Sequence, residues 1–254
     1  MSPRHRKRVQ PIRREPSPYT KLPIMKLILF DIDGTLLWSD GAGRSAIREA
    51  LMAEMGTTGP VDDYRFDGKT DPQIVYELMH AAGHPDAGSA AHVQAVCDRY
   101  VQVLEGELAG GHSVPRLLPG IDALLGVIER RADAVLGLLT GNIVGGARLK
   151  LASVGIDIER FRVGAYGSDA AEREKLPAVA AARAEEIMGG RPTGDQIVII
   201  GDTPADVTCG ASVGARAIAV ATGFYAADAL RAAGAFAVFE DLSDTDRVVS
   251  TIFA

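Results

Sequence analysis

Four aspartates follow apolar runs in this sequence. Asp31 and Asp33 stand in Phe30-Asp31-Ile32-Asp33-Gly34-Thr35, and Asp202 and Asp206 in Ile200-Gly201-Asp202-Thr203-Pro204-Ala205-Asp206. A third polar turn, Leu139-Thr140-Gly141-Asn142, closes another apolar run. If those runs are strands of an open parallel sheet, the turns meet in the crevice beyond their carboxyl ends. Two unit charges about 4 Å apart at an effective dielectric near 20 repel by roughly 4 kcal/mol. Such a cluster must therefore hold a cation or keep some members protonated. No His or Cys occurs in these segments. An all-oxygen donor set suits Mg²⁺, which also accepts water and a substrate phosphate as ligands.

The same residues read as phosphoryl chemistry. Asp31, at a strand end, can attack phosphorus and form an aspartyl phosphate. Asp33 can protonate the leaving oxygen and later deprotonate water. Gly34 lets the chain turn sharply. Thr140 and nearby backbone N–H groups can hold phosphoryl oxygens. Gly34, Thr35, Gly141 and Asn142 share these turns and are candidate substrate contacts. Arg173 and Lys175 are the candidates for a cation against the transferring charge.

The elements that must position these groups follow from hydrophobic patterning. Lys26 to Phe30 is a continuous apolar run that predicts a strand buried on both faces. Similar runs occur at Ala134–Leu139, Phe161–Tyr166, Gln196–Ile200, Arg216–Val220 and Ala235–Phe239. Helical patterns at Ile121–Arg130, Gly145–Ser153, Lys175–Met188 and Asp228–Ala233 lie between most of them. The alternation predicts an α/β fold with a doubly wound parallel sheet. The interval after the first strand breaks this rhythm with helices at Arg44–Met55, Pro72–Ala82 and Ala90–Leu108. Asp71-Pro72 signals a helix start, with Asp as N-cap and Pro at the first helical position, and Gly83 ends that helix. A helical block of about 80 residues is too long for a crossover and predicts an inserted small α-helical cap. The expected organisation is a basic tail over 1–24, an α/β core over 25–37 and 117–254, and a cap over 38–116.

Taken together, these motifs resemble the haloacid dehalogenase-like hydrolase superfamily, over nearly the whole chain from Lys26 onward. Asp31-x-Asp33-Gly34-Thr35 after an apolar strand is its most specific mark. The resemblance implies Asp31 as nucleophile and Asp33 as acid/base. It also implies Mg²⁺ held by Asp31, the Asp33 carbonyl and Asp202, with Asp206 close by as a further carboxylate. The third motif departs from the frequent Lys-Pro pattern, reading Glu172-Arg173-Glu174-Lys175-Leu176-Pro177. By spacing to the alanine-rich helix that follows, Arg173 takes the role, as in phosphoglycolate phosphatase-like relatives, with Lys175 as the alternative. Phe66-Asp67-Gly68-Lys69-Thr70-Asp71 is similar to the substrate-facing cap loop of those relatives, so Arg65 or Lys69 would meet the non-reacting end of the substrate. The implied activity is a Mg²⁺-dependent phosphatase acting on a small phosphorylated metabolite. A phosphomutase of the same superfamily and a non-enzymatic phospho-receiver are the competing readings. The long helical insertion and Asp33 beside the nucleophile argue against the receiver, and an acid/base is superfluous to a dehalogenase.

Composition narrows the rest. At 254 residues with 47% hydrophobic and 24% charged side chains, the chain is globular, not disordered. Its longest uncharged stretch, Ala134 to Ala147, is too short and polar to span a bilayer, so no membrane partner is expected. Residues 1–26 carry eight basic side chains and one acid, which leaves the remainder at −6 − 7 = −13. An acidic body argues against nucleic acid as a partner of the folded part. The tail is read as a disordered extension, or as the product of a start assigned upstream of Met25. Two cysteines without a C-x-x-C pattern point to a reducing compartment, the cytoplasm. His80 and His84 have i, i+4 spacing but are broken by Gly83 and Pro85, and so read as surface residues. Gly141 to Gly146 lacks the Lys-Ser/Thr of a P-loop.

Overall fold

Strand β1 (Lys26–Phe30) is buried along its whole length, as its unbroken apolar run requires. The computed structural model describes residues 25–111 and 113–254; the basic segment 1–24 lies outside the described residues. After β1 come β2 (Leu37–Trp38), α1 (Ala42–Met55), α2 (Asp71–Ala81), α3 (Ala90–Ala109) and β3 (Arg116–Leu117). Then follow α4 (Ile121–Glu129), β4 (Ala134–Leu139), α5 (Val144–Ser153), β5 (Val163–Ala165), α6 (Leu176–Met188) and β6 (Ile197–Gly201). The chain ends with α7 (Pro204–Cys209), β7 (Arg216–Val220), α8 (Ala227–Ala232), β8 (Ala237–Phe239) and α9 (Thr245–Ile252).

Six strands form one parallel sheet in the order β5-β4-β1-β6-β7-β8. The chain winds outward both ways from β1, so the switch point of the sheet lies at its carboxyl end, where Asp31 follows. The strands alternate side chains between two cores. Ile28, Phe30, Val198 and Ile200 pack with α4, α5 and α9, whereas Leu27, Leu29, Ile197 and Ile199 pack with α6. This is the doubly wound α/β core that the sequence leads one to expect.

Helices α1, α2 and α3, the segment expected to form a cap, share a second hydrophobic cluster in which Ile47, Leu51, Leu78, Val96 and Tyr100 are buried together. The chain leaves the sheet through β2 and returns through β3, which pair antiparallel as Leu37↔Leu117 and Trp38↔Arg116. Two residues carry no periodicity, so this ribbon was not foreseen. Helix α2 starts differently from the expectation. Its N-cap is Thr70, whose Oγ1 accepts from Gln73 N, and Asp71 is the first helical residue. The Asp71 carboxylate is drawn away because it accepts from the Ile143 N–H of the core at 2.9 Å. Helices α7 and α9 were also unforeseen; α7 is a single capped turn and α9 follows the last strand.

Candidate active site

Asp31 continues the β1 ladder, its N–H donating to Ile200 O, and its side chain is buried in the crevice between β1 and β6. Asp202 follows β6 directly. Carboxylate oxygens of Asp31, Asp202 and Asp206 lie within 4.8 Å of one another, all three residues being buried. Gly34 makes this approach possible. Its φ is +80°, and a Cβ there would stand 2.3 Å from Asp202 Oδ2. The Thr35 hydroxyl donates to Asp202 Oδ1 at 3.1 Å.

The turn that precedes α6 supplies the cation. Arg173 opens a short 3₁₀ turn before α6 and is buried. Its Nη2 lies 3.1 Å from Asp31 Oδ1 and also bonds Asp206 Oδ1. Lys175 takes the other direction: it is exposed and paired with Glu172. Position thus separates the two candidates, with only Arg173 at the aspartates. Asp206 is committed to protein donors. Its Oδ2 accepts from the N–H and hydroxyl of Thr203, which closes the capping box of α7. Both Asp206 oxygens are thus engaged by protein donors, Arg173 on one and Thr203 on the other.

Asp31 and Asp202 remain as the pair with oxygen to offer. Burial pushes the Asp31 carboxyl up to about 7, with Arg173 pulling it down and Asp206 and Asp33 adding to the rise. Burial, then the neighbouring Asp206 and Asp31, push Asp202 well above its ordinary value. Buried carboxylates that repel one another, all of them oxygen donors, fit a hard divalent cation.

Asp33 sits apart from this pair in its own network. Its Oδ1 accepts from Ser39 Oγ at 2.8 Å, and its Oδ2 from Asn142 Nδ2 at 2.9 Å and Lys150 Nζ at 2.7 Å. Lys150 also donates to Asn142 Oδ1 at 2.7 Å, closing a triangle. Burial pushes the Asp33 carboxyl up, but the charge and hydrogen bond of Lys150, with those of Asn142 and Ser39, overcome this and hold it below the usual range. Thr140 is fully buried, and its Oγ1 accepts from the Asn142 side chain and N–H. Its hydroxyl oxygen therefore orients Asn142; Gly141 and Asn142 line the cavity beside Asp31. Lys150 was missed by the sequence reading. A signal existed: it falls one turn after Gly146 and Ala147, on the face of α5 that packs inward.

The cap closes over this site through backbone contacts. The Asp71 N–H donates to Gly141 O at 2.8 Å, and Thr70 Oγ1 to Ala171 O at 2.7 Å. A Cβ on Gly141 would stand 2.0 Å from Lys69 O. Gly141→Ala is accordingly expected to lift the cap from the core. Turnover should drop at least tenfold, and limited proteolysis should cut the cap–core connections faster than in wild type. Equal proteolysis rates would contradict this role for Gly141.

The expected distal residues fare differently. Arg65 is exposed, bonded to Asp67 and stacked over the Tyr225 ring, and it does not line the cavity. Lys69 does line it, but its ammonium is paired with Glu77 at 2.7 Å and bonded to Tyr64 Oη.

Among the described residues no helix is long and apolar enough to cross a membrane. Known proteins are similar to this chain in sequence and in fold. Residues 28–211 match the family model for haloacid dehalogenase-like hydrolases. A phosphoglycolate phosphatase of Rhodospirillum rubrum is 28% identical over 223 residues, 86% of this chain and 88% of that protein. A hydrolase from Pseudomonas syringae superposes with a TM-score of 0.68 at 23% identity, covering 89% of this chain and 98% of the other. The structure of CbbY from Rhodobacter sphaeroides in complex with phosphate gives a TM-score of 0.65 at 21% identity, over 87% of this chain and 96% of that one. The chain thus belongs to the haloacid dehalogenase-like hydrolases, the family that its strand-end aspartates resemble.

Proposed function

We propose that this enzyme is a Mg²⁺-dependent phosphatase that hydrolyses a small phosphate monoester through an aspartyl-phosphate intermediate. The observation that carries the reading is the placement of Asp31 between Arg173 and Asp202, with Asp33 held ionised beside it by Lys150. The core over 25–37 and 117–254 would do the phosphoryl chemistry, and the cap over 38–116 would select the substrate.

Asp31 and Asp202, with the Asp33 carbonyl, would hold the metal, which supplies charge neutralisation for the carboxylates and the phosphoryl group. An Asp31 oxygen bonds to phosphorus as the ester P–O bond breaks, and Asp33 gives its proton to the departing oxygen. The arriving phosphate dianion raises the Asp33 carboxyl and so helps load that proton. Asp33, returned to its ionised form beside Lys150, then takes a proton from the water that cleaves the aspartyl phosphate. Arg173 stays on the nucleophile throughout and opposes the charge of the transferring group.

The name of the Rhodospirillum relative supports phosphoglycolate as the first ester to try. Cys97 and Cys209, both free and buried, fit a reducing cytoplasm. The test is release of inorganic phosphate from a panel of small esters, with Mg²⁺ and with a chelator. Turnover should fall at least a hundredfold on chelation and return with added Mg²⁺. Full activity in chelator would overturn the metal assignment. Transfer of the phosphoryl group to a sugar hydroxyl instead of water would reassign the chain to the phosphomutases.

A further inference from the structure

The cavity above Asp31 has a charged floor and an aromatic mouth. Trp38, Phe66 and Phe224 all line it, and they come from three separate segments: strand β2, the cap loop before α2 and the loop that follows β7. Phe224 is 69% exposed, and among the exposed large apolar residues described it alone lines this cavity. Apolar surface left open at the edge of a ligand cavity is surface that a ligand can cover.

The Phe224 ring is exposed, but its backbone is tied down on both sides. Thr222 Oγ1 donates to Gly34 O, and the chain at Gly223 passes so close to Asp202 that a Cβ there would stand 1.8 Å from Oδ2. On the other side, the Arg65 guanidinium of the cap lies 5.3 Å from the Tyr225 ring centre. Between these anchors Phe224 meets Trp38 edge to face, with ring centres 5.2 Å apart and planes at 61°. Such a pair leaves ring faces free for a third group. Phe66 is fixed as well, with Arg44 4.1 Å from its ring centre and Tyr64 packed at 5.9 Å. Rings already held in place lose little freedom when a ligand arrives. The charges beside them are matched, Lys69 by Glu77 and Asp67 by Arg65.

We infer that Trp38, Phe66 and Phe224 form a collar that grips a flat apolar ring on the leaving group of the phosphate ester. Phe224 is then a specificity-determining residue contributed by the core rather than by the cap. This rests on the phosphatase reading above and extends its small-ester class to leaving groups that carry such a ring.

The test compares ethyl, cyclohexylmethyl and benzyl phosphate. All are esters of primary alcohols, so the reacting P–O bond is alike in each. Wild type should favour benzyl over ethyl phosphate about tenfold or more in kcat/KM, mainly through KM, the scale of apolar discrimination in a pocket. It should favour benzyl over cyclohexylmethyl phosphate severalfold, because stacking needs a flat face. Phe224→Ala should bring both ratios close to one, and Phe224→Tyr should keep them. Phe236→Ala removes another exposed phenylalanine, packed on Arg216 and outside this cavity, and should change neither ratio. Trp38 is the only tryptophan in the chain, so its fluorescence reports on the collar without turnover. Benzylphosphonate, which has no ester bond to break, should change that emission saturably and bind about tenfold tighter than ethylphosphonate. In Phe224→Ala that difference should vanish. Equal kcat/KM for the three esters, or ratios that survive Phe224→Ala, would overturn the collar while leaving the phosphatase reading intact. Hydrolysis of none of the three would overturn that reading and the collar with it.

Discussion

Asp31→Asn is expected to lower turnover of any phosphate ester by about 10⁴-fold or more, the scale seen when a nucleophile is removed. The amide keeps the shape of the side chain but cannot attack phosphorus at a useful rate. Folding should survive. In the wild type without metal, the Asp31 carboxyl titrates near 7 because burial raises it, above its unfolded value of about 3.9. A raised carboxyl contributes stability below the unfolded value and loses it as pH climbs through the folded one. Metal-free wild type should therefore lose stability between about pH 4 and pH 7 relative to Asp31→Asn, which cannot ionise. Thermal unfolding across that range checks this. A variant that is both inactive and grossly unfolded would leave the activity loss without chemical meaning; Asp31→Ser, smaller and neutral, supplies the second reading of the same position.

Lys150→Met has the second largest expected effect, and it separates positioning from direct chemistry. Without the ammonium, Asp33 and Asn142 each lose a bond of 2.7 Å. Burial then prevails at Asp33 and its carboxyl rises. The acid limb of the kcat profile should move to higher pH, and kcat at neutral pH should fall by about 10²-fold, a typical share for general acid–base catalysis. Stability should fall as well. The Lys150 side chain is 6% exposed but that of Asp33 is 36% exposed, so water reclaims part of the carboxylate. The loss is then about 1–3 kcal/mol, below that for a fully buried pair.

The sign of its pH dependence follows from both partners. Asp33 is held low, so its contribution is present above about pH 4 and lost as pH falls through its folded value. Lys150 is held high by Asp33 and Asp71 despite burial, so its contribution is present below about pH 10 and lost above its folded value. The stability gap between wild type and variant should be full between those limits and should narrow outside them. Lys150→Arg, which restores the charge, should recover part of kcat; no recovery, with an unmoved pH profile, would make Lys150 a merely structural residue.

The legibility of this molecule in its sequence has a physical pattern. Asp31, Asp33 and Asp202 stood out because a carboxylate directly after an apolar strand has few structural reasons to exist. The sheet was equally plain, since strands buried on both faces need unbroken apolar runs such as Lys26–Phe30. Lys150 was hidden for the opposite reason: a lysine in a surface-length helix reads as solvated until its partner, 117 positions away, is known. The same limit applied to the cap. Arg65 and Arg44 are both arginines near apolar residues, and only the fold shows that Arg65 faces Tyr225 while Arg44 faces the cavity. At the start of α2, Asp71 had the right type for a cap, but Thr70 won that place because the aspartate found the Ile143 amide across the interface. Spacing already favours Arg173 over Lys175, and the turn they share points the first inward to Asp31 and the second out to Glu172.

The most direct test is to catch the covalent state. Enzyme mixed with a turning-over phosphate ester and Mg²⁺ is quenched within a single turnover and treated with borohydride, which reduces an aspartyl phosphate to homoserine. Peptide mass spectrometry should find homoserine at position 31, and no reduced residue in Asp31→Asn. Homoserine at another aspartate, or none at all while phosphate is released at the normal rate, would contradict Asp31 as the nucleophile.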